Sequence, residues 1–240
     1  MTRRTPQAVL AEARAQGRKL LDEKSAKTLL SACGVRVPQG IRVAPGASAV
    51  LVEGMKPPYA AKLMSPDLIH KSDVGGVILG LLDAVAVGAA VADLAKLAQD
   101  AGLRLDGVLV EEMAPPGVEL VVGGFQDARF GPVVMLGMGG VFVEVMKDTT
   151  FRVCPITRAD AEDMIDQLRG AALLRGARGR DPVDESPVID CLLAVGGDGG
   201  LLLTHEADIA ELDINPLIVS RNAAVACDAR VVLTSPEREA

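Results

Sequence analysis

Two strand-like runs near the C-terminus, Asp208 to Val219 and Ala223 to Leu233, are separated only by Ser220-Arg221-Asn222, and this pairing restricts the fold more than any other feature. A hairpin turning on Arg221 and Asn222 sets Asn215 directly opposite Asp228 and Asp213 opposite Arg230. Side chains alternate along a strand, so these four share one face while Ile214, Cys227 and Ala229 point to the other. Opposed Cβ atoms lie roughly 5 Å apart, so two oxygen-bearing side chains there can hold one hard cation. Mg²⁺ suits them, because it takes only one or two protein oxygens when phosphates and water complete its shell. The same face also reads as a solvated surface carrying an Asp–Arg pair.

A second stretch, Ala60 to Gly76, puts a lysine inside an apolar strand-like run and follows it with one of two histidines and a Gly-Gly pair. Lys62 is flanked by Ala60, Ala61, Leu63 and Met64. Its stem must be buried and its ammonium group needs an anion, since an unpaired buried charge is costly. A phosphate would serve. His70 lies in a polar segment with Lys71, Ser72 and Asp73 beside it and Gly75-Gly76 behind it. Glycines let backbone N–H groups approach an anion, and a neutral imidazole beside phosphate can act as a nucleophile. Against this, a lone histidine is more often a hydrogen-bonded structural residue, and Lys-Ser-Asp is a common solvated turn.

The rest of the chain suits a mixed α/β (α+β) globular protein. Its 240 residues are 49 % hydrophobic but only 2 % aromatic, so Ala, Val, Leu, Ile and Met must build the core. A net charge of -7 argues against a nucleic-acid partner, which requires a concentrated basic face. The longest apolar window, Leu79 to Ala92, contains Asp83 and is too short to span a bilayer. The opening Met-Thr-Arg-Arg-Thr-Pro has no apolar secretory region, so a cytoplasmic protein is expected. Cys33, Cys154, Cys191 and Cys227 are widely spaced and read as small buried residues rather than as a zinc or disulfide set.

Read in order, residues 1–19 form a basic arm or peripheral helix, and Leu20 to Cys33 a helix stopped by Gly34. Val35 to Pro38 reads as extended and Ala47 to Met55 as a short amphipathic segment. Val77 to Leu82 reads as a buried strand, Asp83 as the cap of a helix reaching about Asp100, and Gly107 to Val110 as a strand. Glu111-Glu112-Met113 and the Pro115-Pro116-Gly117 turn mark a hinge, which divides a first lobe, 20–110, from a second, 111–240. Beyond it, Val118 to Gly123, Pro132 to Leu136 and Val141 to Val145 are strand-like. Thr157 to Asp160 resembles a helix-start box, Ser186 to Val195 an amphipathic helix, and Gly196 to Gly200 a surface turn without the context of a phosphate loop.

Four ordered motifs carry a resemblance over about Leu20 to Leu233. They are Lys62 with Ser65-Pro66-Asp67 and His70-Lys-Ser-Asp-Val-Gly-Gly-Val77; Val108-Leu-Val-Glu-Glu-Met113 with Gly117-Val-Glu119; Phe130-Gly-Pro-Val-Val-Met-Leu-Gly-Met-Gly-Gly140 with Val143-Glu144 and Lys147-Asp148; and Glu211-Leu-Asp-Ile-Asn-Pro-Leu217 with Asp228-Ala-Arg230. In these the chain resembles the ATP-grasp (β) subunit or domain of ADP-forming acyl-CoA synthetases, relatives of the succinyl-CoA synthetase β subunit. The resemblance implies an ATP-grasp fold, two lobes with nucleotide bound between them. It implies that Lys62 meets ATP phosphates, that Glu111, Glu112 and Met113 meet adenine mainly through backbone groups, and that Glu119 holds the ribose. Asn215 and Asp228 become Mg²⁺ ligands with Asp213 a third member, Arg230 lies near phosphate, and His70 occupies a phosphohistidine position. Glu144, Asp148 and Arg152 either line the same cleft or support the glycine-rich turn. His205 matches no motif and reads as structural.

The expected chemistry is a phosphoryl relay in which a separate CoA-binding α subunit or domain supplies phosphate to His70 and His70 passes it to Mg-ADP. A hetero-oligomer follows from that division of labour. Two alternatives are an ATP-grasp ligase that forms an acyl phosphate directly, without His70, and a non-catalytic ATP-sensing module.

Overall fold

The chain opens with two short helices capped by side chains, the second beginning at Glu23 where the sequence reading began it at Leu20. In the computed structural model, which describes residues 4–47, 52–68, 71–140, 147–177 and 181–234, α1 spans Pro6–Ala15 and α2 spans Glu23–Ala32. Thr5 and Asp22 cap them by accepting from the N–H groups of Ala8 and Ser25. Ala26, Leu29 and Leu30 recur at helical spacing and are fully buried. Gly34, at φ 91°, takes the left-handed conformation that stops α2.

Residues 38–114 form the smaller of two units. Its antiparallel sheet, in the order β1-β4-β2-β3, joins β1 (Gly40–Val43), β2 (Tyr59–Met64), β3 (Val77–Leu81) and β4 (Gly107–Glu112). All six residues of β2 are buried. Helix α3 (Ala84–Asp100) is capped by Asp83, whose Oδ1 accepts from Ala86 N–H at 2.8 Å, and it buries Val87, Ala90, Leu94 and Ala98. The expectation of a buried strand at Val77 to Leu82 needs correction. β3 is the sheet edge, so only one side of it has a neighbour, and Leu79 and Leu82 face solvent. Among the described part of Ala47 to Met55, residues 52–55 make a turn and no helix.

The larger unit combines residues 1–37 with 115–240. Here the division differs from the lobes expected at 20–110 and 111–240: the hinge falls at Ala114/Pro115, and α2 belongs with the C-terminal part. The reason is packing. Leu20 bridges to Val232, Leu21 N–H donates to Val231, and Val9, Leu10, Leu29 and Leu30 join the same hydrophobic core as Ile214 and Leu217. The expected arm is therefore a packed helix.

The second sheet runs β10-β8-β5-β6-β7, with β9 also on β8. Its strands are β5 (Val118–Asp127), β6 (Gly131–Met138), β7 (Thr149–Val153), β8 (Ile209–Ser220), β9 (Ala223–Ala226) and β10 (Ala229–Leu233). Helices α4 (Arg158–Asp166), α5 (Ala171–Leu174), α6 (Ser186–Gly196) and α7 (Leu201–Thr204) follow in the chain. The Thr157 box forms as predicted, Thr157 and Asp160 each bonding the other's backbone N–H. Gly196 to Gly200 is no plain surface turn. Gly196 ends α6 at a point where a Cβ would meet Cys154 Sγ at 2.8 Å, and Gly197 bridges to Ile156. β7 was not anticipated, although Thr149, Thr150, Phe151 and Val153 are strand formers, while the strand expected at Val141 to Val145 lies outside the described residues. Among those described, no helix is long and apolar enough to cross a membrane.

Candidate functional site

In the smaller unit the site is built around a buried ion pair. Lys62, in the middle of β2, is 7 % exposed, and its Nζ lies 3.1 Å from Glu111 Oε2 on β4. Glu111 is 2 % exposed. The anion that Lys62 needs is thus supplied by the protein itself, where sequence reasoning put a phosphate; register explains it, since Ala60 pairs with Glu111 across the two strands. Gly40 completes the arrangement, because a Cβ there would come within 2.6 Å of Glu111 Cγ.

Glu112 and Met113, read from the sequence as part of a hinge, lie inside the smaller unit and are also engaged. Glu112 N–H donates to Gln39 O and Met113 N–H to Pro58 O, both at 2.9 Å. Glu112 Oε1 accepts from Lys56 N–H at 2.8 Å, and Met113 sulfur accepts from Gly80 N–H at 3.2 Å. Any base recognised through this backbone must therefore use groups other than these two N–H donors.

His70 and its predecessor lie outside the described residues, but the chain on either side is tied down. Asp67 accepts from Arg104 Nη2 at 2.6 Å, from Nε at 3.0 Å and from the Arg104 N–H at 2.9 Å. The Arg104 guanidinium holds the Asp67 carboxyl below its ordinary range. On the other side, Gly76 N–H donates to Lys71 O at 2.8 Å, and a Cβ on Gly76 would strike that carbonyl. Sequence reasoning missed this clamp: Asp67 sits in one of the ordered motifs, yet nothing links it to an arginine 37 residues away.

The larger unit holds the oxygen donors. The hairpin forms in the register its turn dictates: Ser220 pairs with Ala223 and Arg230 with Asp213, while Asn215 N–H donates to Asp228 O at 3.3 Å. Ile214 and Ala229 are buried on the opposite face as expected. A bulge was not anticipated. Leu120 pairs with Leu217 but Val122 with Ile214, so Asn215 and Pro216 together oppose Val121. Asn215 is exposed and Pro216 half-buried, after which Leu217 and Val219 return to the core. Pro216 has no N–H to donate, and the facing strand breaks opposite it between Ala226 and Ala229.

Arg230 pairs differently from the sequence reading. Its Nη1 lies 3.7 Å from Glu211 Oε1, and its Nε is buried without a hydrogen-bond partner. Glu211 entered the sequence reading only as part of a motif; its place two residues before Asp213, on the same face, was the available signal. Asp228 Oδ1 accepts from the N–H of Ala229 at 2.8 Å. Among the described residues no cluster of three or more His, Cys, Asp or Glu is fit to hold a metal alone. The donor set of Asn215, Asp228 and Asp213 fits a hard cation that takes few protein oxygens, and Mg²⁺ is such a cation.

Glu119 is exposed on β5 beneath a glycine turn. Its carbonyl accepts from Gly139 N–H at 2.7 Å, and a Cβ on Gly139 would lie 2.8 Å from the Glu119 backbone. Asp148 supports structure: buried, it accepts from the N–H groups of Arg169 at 2.9 Å and Gly170 at 2.8 Å. His205 is likewise structural, 3.6 Å from Asp208 at the end of α7. Glu144 lies outside the described residues.

Comparison with known proteins gives this geometry a family. A family model described as ATP-grasp domain matches residues 12–233. The ADP-forming acetate–CoA ligase I subunit beta of Pyrococcus furiosus is 37 % identical over 228 residues, which are 94 % of this chain and 96 % of the relative. The ADP-forming acetate–CoA ligase I of Archaeoglobus fulgidus is 39 % identical over 207 residues, 85 % of this chain but 30 % of that protein. Among solved structures, the dinucleotide forming acetyl-coenzyme A synthetase 1 of Ca. Korarchaeum cryptofilum, in complex with coenzyme A, Ca-AMPCP and HgCl+, superposes with a TM-score of 0.88 at 37 % identity. The match covers 96 % of this chain and 100 % of that one. A second structure of that enzyme, with coenzyme A and Mg-AMPPCP, has its phosphohistidine segment pointing towards the nucleotide binding site and gives 0.80 at 35 % identity. The described units, the motif order and these near full-length matches lead to one assignment: the chain belongs to the ATP-grasp enzymes, in the family of ADP-forming acyl-CoA synthetase β subunits.

Proposed function

We propose that this chain is the nucleotide-binding part of an ADP-forming acyl-CoA synthetase and moves a phosphoryl group between His70 and Mg-ADP. The observation that carries the reading is the match to a β subunit of an ADP-forming ligase over 94 % of this chain and 96 % of the relative. Such a subunit needs a CoA-binding partner to supply acyl chemistry, so the working enzyme contains an α subunit or domain.

In the transfer, the nitrogen–phosphorus bond of phosphorylated His70 breaks with its electron pair staying on the imidazole. A terminal oxygen of the ADP β-phosphate forms the new phosphorus–oxygen bond, giving ATP. Little covalent work is left to the protein beyond positioning and charge neutralisation. Lys62 and Arg230 supply positive charge to the phosphates, Glu119 binds the ribose hydroxyls, and Glu111 to Met113 border the base. Asn215 and Asp228, with Asp213 beside them, hold Mg²⁺, which when bound neutralises phosphate oxygens. Glu111 has a further task, keeping the Lys62 ammonium in place on a buried strand until phosphate arrives.

Intact-mass and acid-lability analysis after incubation with Mg-ATP tests this. The wild type gains one acid-labile phosphoryl group and the His70→Ala variant none. Binding of Mg-ATP with no phosphoryl group in either chain would remove the relay.

A further inference from the structure

The open face of the larger sheet has a polar end and an apolar end. Direct pairings run across it from Arg230 to Asp213, Gly123, Met135 and Phe151, and the next row from Glu211 to Phe125, Val133 and Val153. The donor set proposed for the metal therefore shares one face with Phe125, Phe151 and Val153, which are 36 %, 50 % and 52 % exposed. Phe130, 64 % exposed, stands in the turn between β5 and β6. The chain has only four phenylalanines and no tryptophan, and three of the four lie in this small region in contact with solvent. With a phenylalanine taken as about 200 Å², the four residues expose on the order of 400 Å². That is about half of what one side of a standard interface buries, and an apolar patch of this size is often functional.

Resting on the functional reading above, we propose that this apolar end docks the CoA-binding partner, seating it beside the metal end of the same face. Continuity argues for that occupant, since direct pairings join the patch and the oxygen donors row by row, with only Gly123 and Met135 between Asp213 and Phe151. The Archaeoglobus relative points the same way. The matched part is 30 % of it, so a large remainder of that polypeptide accompanies the same domain. When the two parts are not covalently joined, no linker raises their effective concentration, and the surfaces themselves must supply the affinity.

The test is sedimentation velocity of this chain mixed with the CoA-binding polypeptide of the same organism, alongside Mg-ADP binding by calorimetry. Phe151→Asp and Val153→Asp are each expected to weaken association about 30-fold or more, as loss of a central anchor does, with Mg-ADP binding unchanged. Val85→Asp, at a residue 83 % exposed on α3, should alter neither. Wild-type association of both patch variants would overturn the docking surface. So would a wild-type self-dimer that these variants dissolve without changing partner affinity, because a second copy would then be the occupant. Failure of the wild type to bind Mg-ADP would defeat the functional reading while the association data still judge the patch.

Discussion

Replacing Glu111 by glutamine should destabilise the smaller unit more than any exposed substitution in it. At 3.1 Å and an effective dielectric of about 20, the attraction between Lys62 and Glu111 is about 5 kcal/mol. The cost of burying both charges offsets much of that, so the informative quantity is the stability lost when one partner alone is removed. Side-chain exposures of 9 % and 2 % place the pair among buried ones, for which such removal costs about 3–5 kcal/mol. Typical total stabilities are about 5–15 kcal/mol, so a large share is lost. The chain offers a selective probe. Tyr59 is its single tyrosine, there is no tryptophan, and the ring is buried in β2 with its hydroxyl donating to Met55 O at 3.1 Å. Tyrosine fluorescence through a urea titration therefore follows the smaller unit alone. The double variant Lys62→Met, Glu111→Gln should recover most of the loss, because removing both charges also removes the cost of burying them. A Glu111→Gln cost below about 1 kcal/mol, or a double variant as unstable as the two singles summed, would refute the pairing as the source of Lys62's charge balance. If phosphate also meets Lys62, saturating Mg-ATP should stabilise Glu111→Gln more than the wild type.

Three other perturbations address separate parts of the fold. Gly139→Ala should cost about 1–3 kcal/mol and raise the dissociation constant for Mg-ADP, since its Cβ would meet the Glu119 backbone at 2.8 Å and push the turn off that residue; equal calorimetric affinity would dissociate the turn from the site. The Asp67 carboxyl titrates below its ordinary value of 3.8 because Arg104 hydrogen-bonds its charged form. A depressed folded-state value means stability that is present above 3.8 and lost as pH falls through the folded value. The wild-type advantage over Asp67→Asn in urea midpoint should therefore be steady near neutrality and vanish in strong acid. Burial pushes the thiols of Cys154 and Cys191 up to about 11 and about 12. At about pH 8, Ellman's reagent should label them far more slowly than the half-buried Cys33 and Cys227, and all four equally once the chain is unfolded.

What could be read in the sequence was whatever is fixed locally. The hairpin register followed from a three-residue separation and a period of two, and the caps at Asp83 and Thr157 followed from residue type at a helix start. Features that depend on distant partners were not legible. Lys62 announced that it needed an anion, but only strand order shows the anion to be Glu111. The strand at Val77 to Leu81 looks central by hydrophobicity, yet it is an edge, because edge and centre differ in neighbours and not in local composition. Residues 20–37 looked like the start of the first lobe because they precede it, whereas their apolar face packs against β10. The Asp67–Arg104 clamp left no periodic trace.

The bulge at Asn215-Pro216 shows how the larger unit reconciles a regular sheet with a cluster of oxygen donors. A strand that kept its alternation through this point would turn either Asn215 or Leu217 to the wrong face. Two residues opposite one on β5 let Ile214 and Leu217 both stay in the core, with Asn215 fully outside and Asp213 on its side. At this level Asn215 N–H donates to Asp228 O at 3.3 Å and Cys227 N–H to Pro216 O at 2.9 Å, so the hairpin register carries through the gap between β9 and β10. On either side the ladder is continuous, from Ser220–Ala223 through Leu217–Ala226 and again from Ile214–Ala229 to Glu211–Val232. Asp213 and Asn215 are thus carried on β8, and Asp228 on the two-residue link between β9 and β10. Lys62 and its hinge belong to a different hydrophobic core from the one behind Ile214. A substitution in the core behind Lys62 should therefore leave the packing behind Ile214 intact, and the reverse.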